Sequence, residues 1–236
     1  MIHHWTAELE EQGVVLLNGA IRDDILTQVS DEANRLIASP EALDRGKGGY
    51  ALRHLLKRSP AIGEFANSPS LLNIAMYLLG EGARPVKGIL FDKGEAANWS
   101  VRWHQDTTIS VKQKIETPGF EAWSHKDDVP HVRPPVEIME RIVAFRIHLD
   151  DCGEENGPLK VLAGSHRRGY LSREEVLRLM KEEPPVPCTA RKGDVLLMRP
   201  LIVHSSSRSR SPAHRRVIHI EYSAENLPNG LEWFES

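Results

Sequence analysis

The stretch VRWHQDTT, residues 101–108, places an imidazole at His104 and a carboxylate at Asp106 with one residue between them. On a β-strand, side chains two positions apart point to the same face, so His-x-Asp would deliver a nitrogen and an oxygen to one point. That donor pair suits a divalent first-row metal. Two histidines with one carboxylate form the facial triad of non-haem Fe(II) oxygenases, which leaves coordination positions open. The motif alone is not specific and needs a second histidine from another inward-facing strand. Of the eleven histidines, His204 has the best setting. It follows the apolar run GDVLLMRPLIV and precedes the polar SSSRSRSPA, where a buried strand would reach the rim of a barrel. The competing reading is plainer: a strand-end histidine bonded to backbone and a solvated aspartate.

Beyond His204 comes the β-prone run HRRVIHIEYS, whose Arg215 would lie on a strand neighbouring that of His204. An arginine buried beside a metal site requires a carboxylate, because its planar fork binds one bidentately and does not lose its charge. A co-substrate with a distal carboxylate would supply that partner. Ser206, two residues past His204 and on the same face, could add a hydrogen bond. Arg216 is the neighbour that could be mistaken for the anchor; strand phase favours Arg215. Gln105 alternates away from the metal and reads as structural.

These residues need elements to position them. The first 83 residues read mainly as helix. Apolar residues recur at helical spacing over 23–39, and over 68–80 Ser68, Pro69 and Gly80 mark a start, a first turn and a stop. Short β-prone runs then follow at 84–91, 99–106, 141–149, 159–162, 194–198, 201–205 and 215–222, separated by turn chemistry. One helix interrupts them, opened by a capping box at Ser172 and Glu175. Strands without alternating helices predict an antiparallel sandwich or barrel, mainly β with flanking helices. The polar, proline-containing segment 112–140 lies between two strands and reads as a long loop serving as a lid. Trp123, His125 and Arg133 in that segment are the substrate-contact candidates, with Arg146, a charge inside the apolar strand VAFRIHLDD. Lys93 reads as a solvated turn lysine, His166 as structural, and Arg53 and His54 as a helix surface.

Four segments, NWSVRWHQDTTISV, LDDCGEENGPLKVLAGSHRRG, GDVLLMRPLIVHSS and SPAHRRVIHIEY, together resemble the phytanoyl-CoA dioxygenase family of Fe(II)/2-oxoglutarate-dependent oxygenases. The resemblance covers roughly 85–222, and the eleven-residue His…Arg spacing makes it far more specific than His-x-Asp. It implies a double-stranded β-helix (a cupin-like jelly roll) over 84–223, preceded by N-terminal helices, in a single domain spanning 1–236. It implies that His104, Asp106 and His204 are iron ligands and that Arg215 and Ser206 hold 2-oxoglutarate. The expected activity is O2-dependent hydroxylation of a small molecule with release of succinate and CO2. A carboxylate at the Asp106 position favours hydroxylation over halogenation. The alternative is a metal-binding cupin-like isomerase or sensor, which leaves Arg215 unexplained.

The bulk properties agree. The chain has 236 residues, 40% of them hydrophobic, enough for one sizeable core. A net charge of −3 gives no general attraction to nucleic acid, and the clustered arginines of SSSRSRSPAHRR are confined to one short loop. No run approaches the length of a membrane span. The N-terminal stretch MIHHWTAELEEQG lacks a basic-then-apolar leader pattern, and the two cysteines form no motif. A cytoplasmic protein with a small-molecule substrate, and neither nucleic acid nor membrane as partner, is expected.

Overall fold

The computed structural model describes residues 2–39, 50–94, 98–210 and 213–236. Ser211 and Pro212, within the arginine-rich loop, lie outside the described residues. In chain order the N-terminal part contains α1 (Ile2–Gln12), β1 (Val14–Leu17), α2 (Asp23–Ile37), β2 (Tyr50–Arg53), α3 (Leu55–Arg58), α4 (Pro60–Ala66) and α5 (Pro69–Leu79). Then come β3 (Arg84–Lys93), β4 (Val101–His104), β5 (Ile109–Ser110), β6 (Glu121–Lys126), β7 (Val129–Arg133), α6 (Val136–Glu140), β8 (Ile142–His148) and β9 (Leu159–Leu162). The chain continues through α7 (Arg173–Glu182), β10 (Val186–Cys188), β11 (Val195–Met198), β12 (Val203–Ser206) and β13 (Arg215–Ser223).

The strands form three antiparallel sheets. The larger has the order β1-β11-β8-β13-β3-β2 and faces a smaller one of order β10-β9-β12-β4. This pair is the jelly roll, and the third sheet, β5-β7-β6, flanks it. The larger sheet shows why the layers separate. On β8, Val143, Phe145 and Ile147 face one way and join β13's Ile218, Ile220 and Tyr222 in a core with Leu26, Leu55, Ile62 and Leu71 of the helices. The intervening Ala144 packs between the two sheets against Val161, Leu196 and Ile202. Successive side chains thus alternate between helix layer and barrel interior. On the outer face of the smaller sheet, Val176 and Leu179 of α7 pack on Leu162 and Val203.

The helix starts follow the sequence closely, with one difference. The capping box is complete: Ser172 Oγ accepts from the Glu175 N–H, and the Glu175 carboxylate accepts from the Ser172 N–H. Pro69 opens α5 and the Gly80 N–H closes it on the Met76 carbonyl, yet the Ser68 hydroxyl does not cap, contacting Ser70 instead.

The mainly helical N-terminal part also supplies β1 and β2, the two edges of the larger sheet. One expectation needs correction. The segment 112–140 is not a long loop. It holds the β6–β7 hairpin and α6, and Val132 and Met139 bury into a core with Ile109, Leu201 and Trp233. Its polar composition hid strands whose one buried face is carried by few residues. No helix among the described residues is long and apolar enough to cross a membrane.

Candidate active site

His104 ends β4, and its directly registered partner across the antiparallel pair is His204 on β12. The rings lie 4.3 Å apart between centroids. Asp106 sits two residues past His104, just beyond the strand, where its N–H donates to the Pro200 carbonyl. Its carboxylate faces both rings, with His104 Nε2 at 3.8 Å from Oδ1 and His204 Nε2 at 3.7 Å from Oδ2. Each imidazole is oriented by the same device. Nδ1 of His104 meets the Arg102 carbonyl and Nδ1 of His204 meets the Ile202 carbonyl, both at 2.8 Å. A carbonyl only accepts, so Nδ1 carries the proton and Nε2 presents its lone pair to the shared point. Burial, offset in part by Asp106, holds His204 down at about 4, so the ring is neutral at pH 7. Burial works against the Asp106 carboxylate, but His204, Lys87 and His104 outweigh it and keep the group well below the usual range. Two neutral nitrogens and one carboxylate, all within 4.8 Å of one another, fit a divalent metal ion.

A second group, Asp106, His219 and Glu221, meets the same distance criterion. It shares Asp106, and Glu221 is already engaged by the Lys87 ammonium at 2.7 Å and by His219 at 3.3 Å. It reads as a buried network supporting Asp106 from behind.

Next to the triad lies a small inner cavity of about 130 Å³ whose wall includes Arg146, Arg215, Ser206 and His219. Strand alternation places them there: Arg146 on β8 and Arg215 and His219 on β13 point between the sheets, with His219 in register with Arg146. Arg215 is buried and donates through Nη1 to the Gly157 carbonyl, while its Nε has no partner. Gly157 is required where it stands: at φ +59° a Cβ would meet the Ser207 carbonyl oxygen at 2.5 Å. Lys93, in register with Arg215 on β3, is fully buried and donates to the Ser207 carbonyl at 2.7 Å and to Ser206 Oγ at 3.3 Å. Burial first and Arg215 next push it down to about 7. Arg146, stacked over Phe91, is lowered to about 10 by burial and by Arg215. His148, lowered to about 3, is buried nearby with both ring nitrogens unpartnered. Three buried cations thus converge, and none of them forms an ion pair with a carboxylate among the described residues. Such an arrangement is costly unless an anion enters.

A larger outer cavity of about 400 Å³ adjoins the other side of His104 and Asp106 and shares Lys87, Ile89, Phe91, Trp99 and Val101 with the inner one. Arg53, His54, Lys126, His131, Ser110 and Glu235 complete it.

The structure thus brings His104, Asp106, His204, Ser206 and Arg215 together. Arg216 points outward, paired with Asp150 at 2.6 Å and bonded to Asn34 of α2. Gln105 is structural: it donates to the Leu201 and Gly169 carbonyls and accepts from the Leu171 N–H. His166 bonds the Glu10 carbonyl. Trp123 packs against the core of the flanking sheet, and neither it nor His125 lines either cavity. Arg133 pairs with Glu121 and stacks on Tyr170; it lines neither of these two cavities but a third, of about 500 Å³, that shares His104, Gln105 and Thr107. The hairpin offers Lys126 and His131 instead. Lys93 is not solvated, and Arg53 and His54 are not on a helix surface. A lysine in phase with Lys87, Ile89 and Phe91 on one strand is the signal that could have found Lys93.

Residues 9–217 match the profile of the family described as phytanoyl-CoA dioxygenase (PhyH). Among curated proteins the chain is similar to the ectoine dioxygenase of Bordetella bronchiseptica (strain ATCC BAA-588 / NCTC 13252 / RB50), 25% identical over 253 residues, which cover 93% of this chain and 75% of that protein. Among solved structures it is similar to EctD from S. alaskensis with bound Fe, with a TM-score of 0.71 and 21% identity, covering 92% of this chain and 74% of the other. It is also similar to SnoN, a non-haem alpha-ketoglutarate-dependent epimerase from nogalamycin biosynthesis, with a TM-score of 0.70 and 18% identity, covering 97% and 90%.

Proposed function

The chain belongs to the phytanoyl-CoA dioxygenase family, and from that premise we propose that it is a non-haem Fe(II)- and 2-oxoglutarate-dependent oxygenase that hydroxylates a small molecule. The observation that carries the reading is the pairing of a two-histidine, one-carboxylate group with three buried cations that have no carboxylate partner among the described residues. A metal-binding isomerase or sensor would need the triad but not the cations. The iron-bound and alpha-ketoglutarate-dependent neighbours of the same fold support this reading.

Iron with bound 2-oxoglutarate supplies the redox chemistry, in which O2 and the keto acid yield succinate, CO2 and one oxygen atom for a substrate C–H bond. The chain's residues orient, neutralise and enclose. Nε2 of His104 and of His204 and the Asp106 carboxylate would hold the metal. Arg215, Lys93 and Ser206 receive the distal carboxylate of the co-substrate, and Arg146 adds positive charge to the same lobe. Phe91, Trp99 and Val101 wall the space between the two lobes and limit water.

The test is anaerobic titration with Fe(II) and 2-oxoglutarate, followed through the weak charge-transfer band toward the red end of the visible spectrum. The expected result is a saturable band in the parent that is lost in Asp106→Ala. Arg215→Ala should weaken 2-oxoglutarate far more than iron, while Arg216→Ala leaves both in place. A band that survives Asp106→Ala sinks the proposal. A product mass increased by one oxygen atom marks hydroxylation, and an unchanged mass marks epimerisation.

A further inference from the structure

The outer lobe has a chemistry of its own that co-substrate binding leaves unused. Lys126 on β6 and Arg53 at the end of β2 stand at its mouth. Arg53 is only loosely held by Asp127, at 3.5 Å. Lys126 forms no ion pair among the described residues, and its one hydrogen bond is to Thr108 Oγ1 at 3.4 Å. Lys126 is exposed at this mouth, and partial desolvation, then the like charges of Lys87 and Arg53, lower its proton affinity.

The wall behind them carries donors that the protein does not use. Ser110 and His131 are directly paired across β5 and β7, and each is 2% exposed. The Ser110 hydroxyl and both His131 nitrogens are buried without a partner. Native structures rarely leave such groups unsatisfied, which points to a ligand. The acidic group of this wall, Glu235, is committed, accepting the N–H groups of Leu56 and Gly88, both at 3.0 Å. Of the residues shared with the inner lobe, Lys87 is already paired with Glu221, and Ile89, Phe91, Trp99 and Val101 form an apolar passage beside the metal ligands. Polar and cationic groups at one end and apolar ones at the other match a molecule with the reverse pattern.

Resting on the oxygenase reading above, we infer that the substrate is a small organic anion. Its carboxylate or phosphate is held between Lys126, Arg53, Ser110 and His131, and its carbon skeleton lies along the apolar passage toward the metal. The hydroxyl of Ser110 and one N–H of the neutral His131 ring donate to the anionic oxygens, and the two cations balance the charge.

Calorimetric titration of the nickel-loaded protein tests this, using hexanoate and hexyl phosphate as anionic probes and hexanamide as the neutral one, all with 2-oxoglutarate saturating. At least one anion should bind about ten-fold or more tightly than hexanamide, as a charge-assisted contact predicts. Whichever anion binds more tightly assigns the group. Lys126→Gln should weaken the anion about ten-fold while leaving hexanamide and 2-oxoglutarate unchanged, and Lys126→Arg should restore it. Equal affinity for amide and anions overturns the inference. So does the absence of binding by either anion, or an unchanged affinity in Lys126→Gln. If 2-oxoglutarate itself does not bind nickel-loaded protein but hexanoate behaves as expected, the oxygenase reading falls and the anion site stands.

Discussion

Lys93 is buried and feels the like charges of Arg215 and Arg146, so its proton is held only up to about pH 7. An anion prefers the charged ammonium. Below about pH 7 the group is charged in the free protein, and above it the group must take up a proton as the anion binds. The apparent Kd for 2-oxoglutarate should therefore rise with pH above about 7, by up to about ten-fold per pH unit. Lys93→Arg should flatten that dependence, and titrations across pH measure it. The same residue shows the limit of sequence reading. The phases of His104 on β4 and Arg215 on β13 follow from alternation along each strand, whereas Asp106 lies just past β4 and is marked only by its His-x-Asp spacing. Lys93 was read as a turn residue because β3 runs further than its apolar stretch, through Asp92 and Lys93 to the register with Arg215. Its meaning lies in a partner 122 positions away by sequence numbering, and no local pattern records that distance.

At the level of elements, α7 shows how a local signal supports a distant site. Its capping box fixes where the helix begins, and Val176 and Leu179 then cover the outer face of β12, the strand that presents His204. Ser172→Ala should cost about 1 kcal/mol of stability, read as a lowered urea midpoint, with metal affinity unchanged. The strands β8, β9, β11 and β13 were legible within a residue or two because each is a dense apolar run bounded by turn residues. Strands β1, β2 and β10 were not: β1 and β2 are short runs set among helices in the chain, and the three residues of β10 hold no period. The β6–β7 hairpin escaped for another reason. One of its faces is polar because it borders a cavity, so in sequence Lys126 and His131 carry the chemistry of a loop.

Across the whole molecule, the larger sheet separates two environments with one set of strands. Phe145 is fully buried on the helix side and tilts against Tyr222 at 4.6 Å between centroids, while the next residue, Arg146, charges the inner cavity. Phe145→Ala should destabilise the fold by about 3–5 kcal/mol, seen as a lower melting temperature and denaturant midpoint. That loss arises in the helix layer, so the remaining folded fraction should bind metal as the parent does. The division also bears on which length changes the chain tolerates. Arg215 and Arg216 are consecutive and identical, yet one serves the cavity and the other pairs with Asp150 past the end of β8 and ties the sheet to α2 through Asn34. Deleting one residue inside β13 would still leave an arginine facing inward. It would also bring Ile218, Ile220 and Tyr222 into the cavity and drive His219 and Glu221 into the apolar core. Within β13, therefore, only an insertion or deletion of an even number of residues keeps the inward and outward sets of side chains on their own sides.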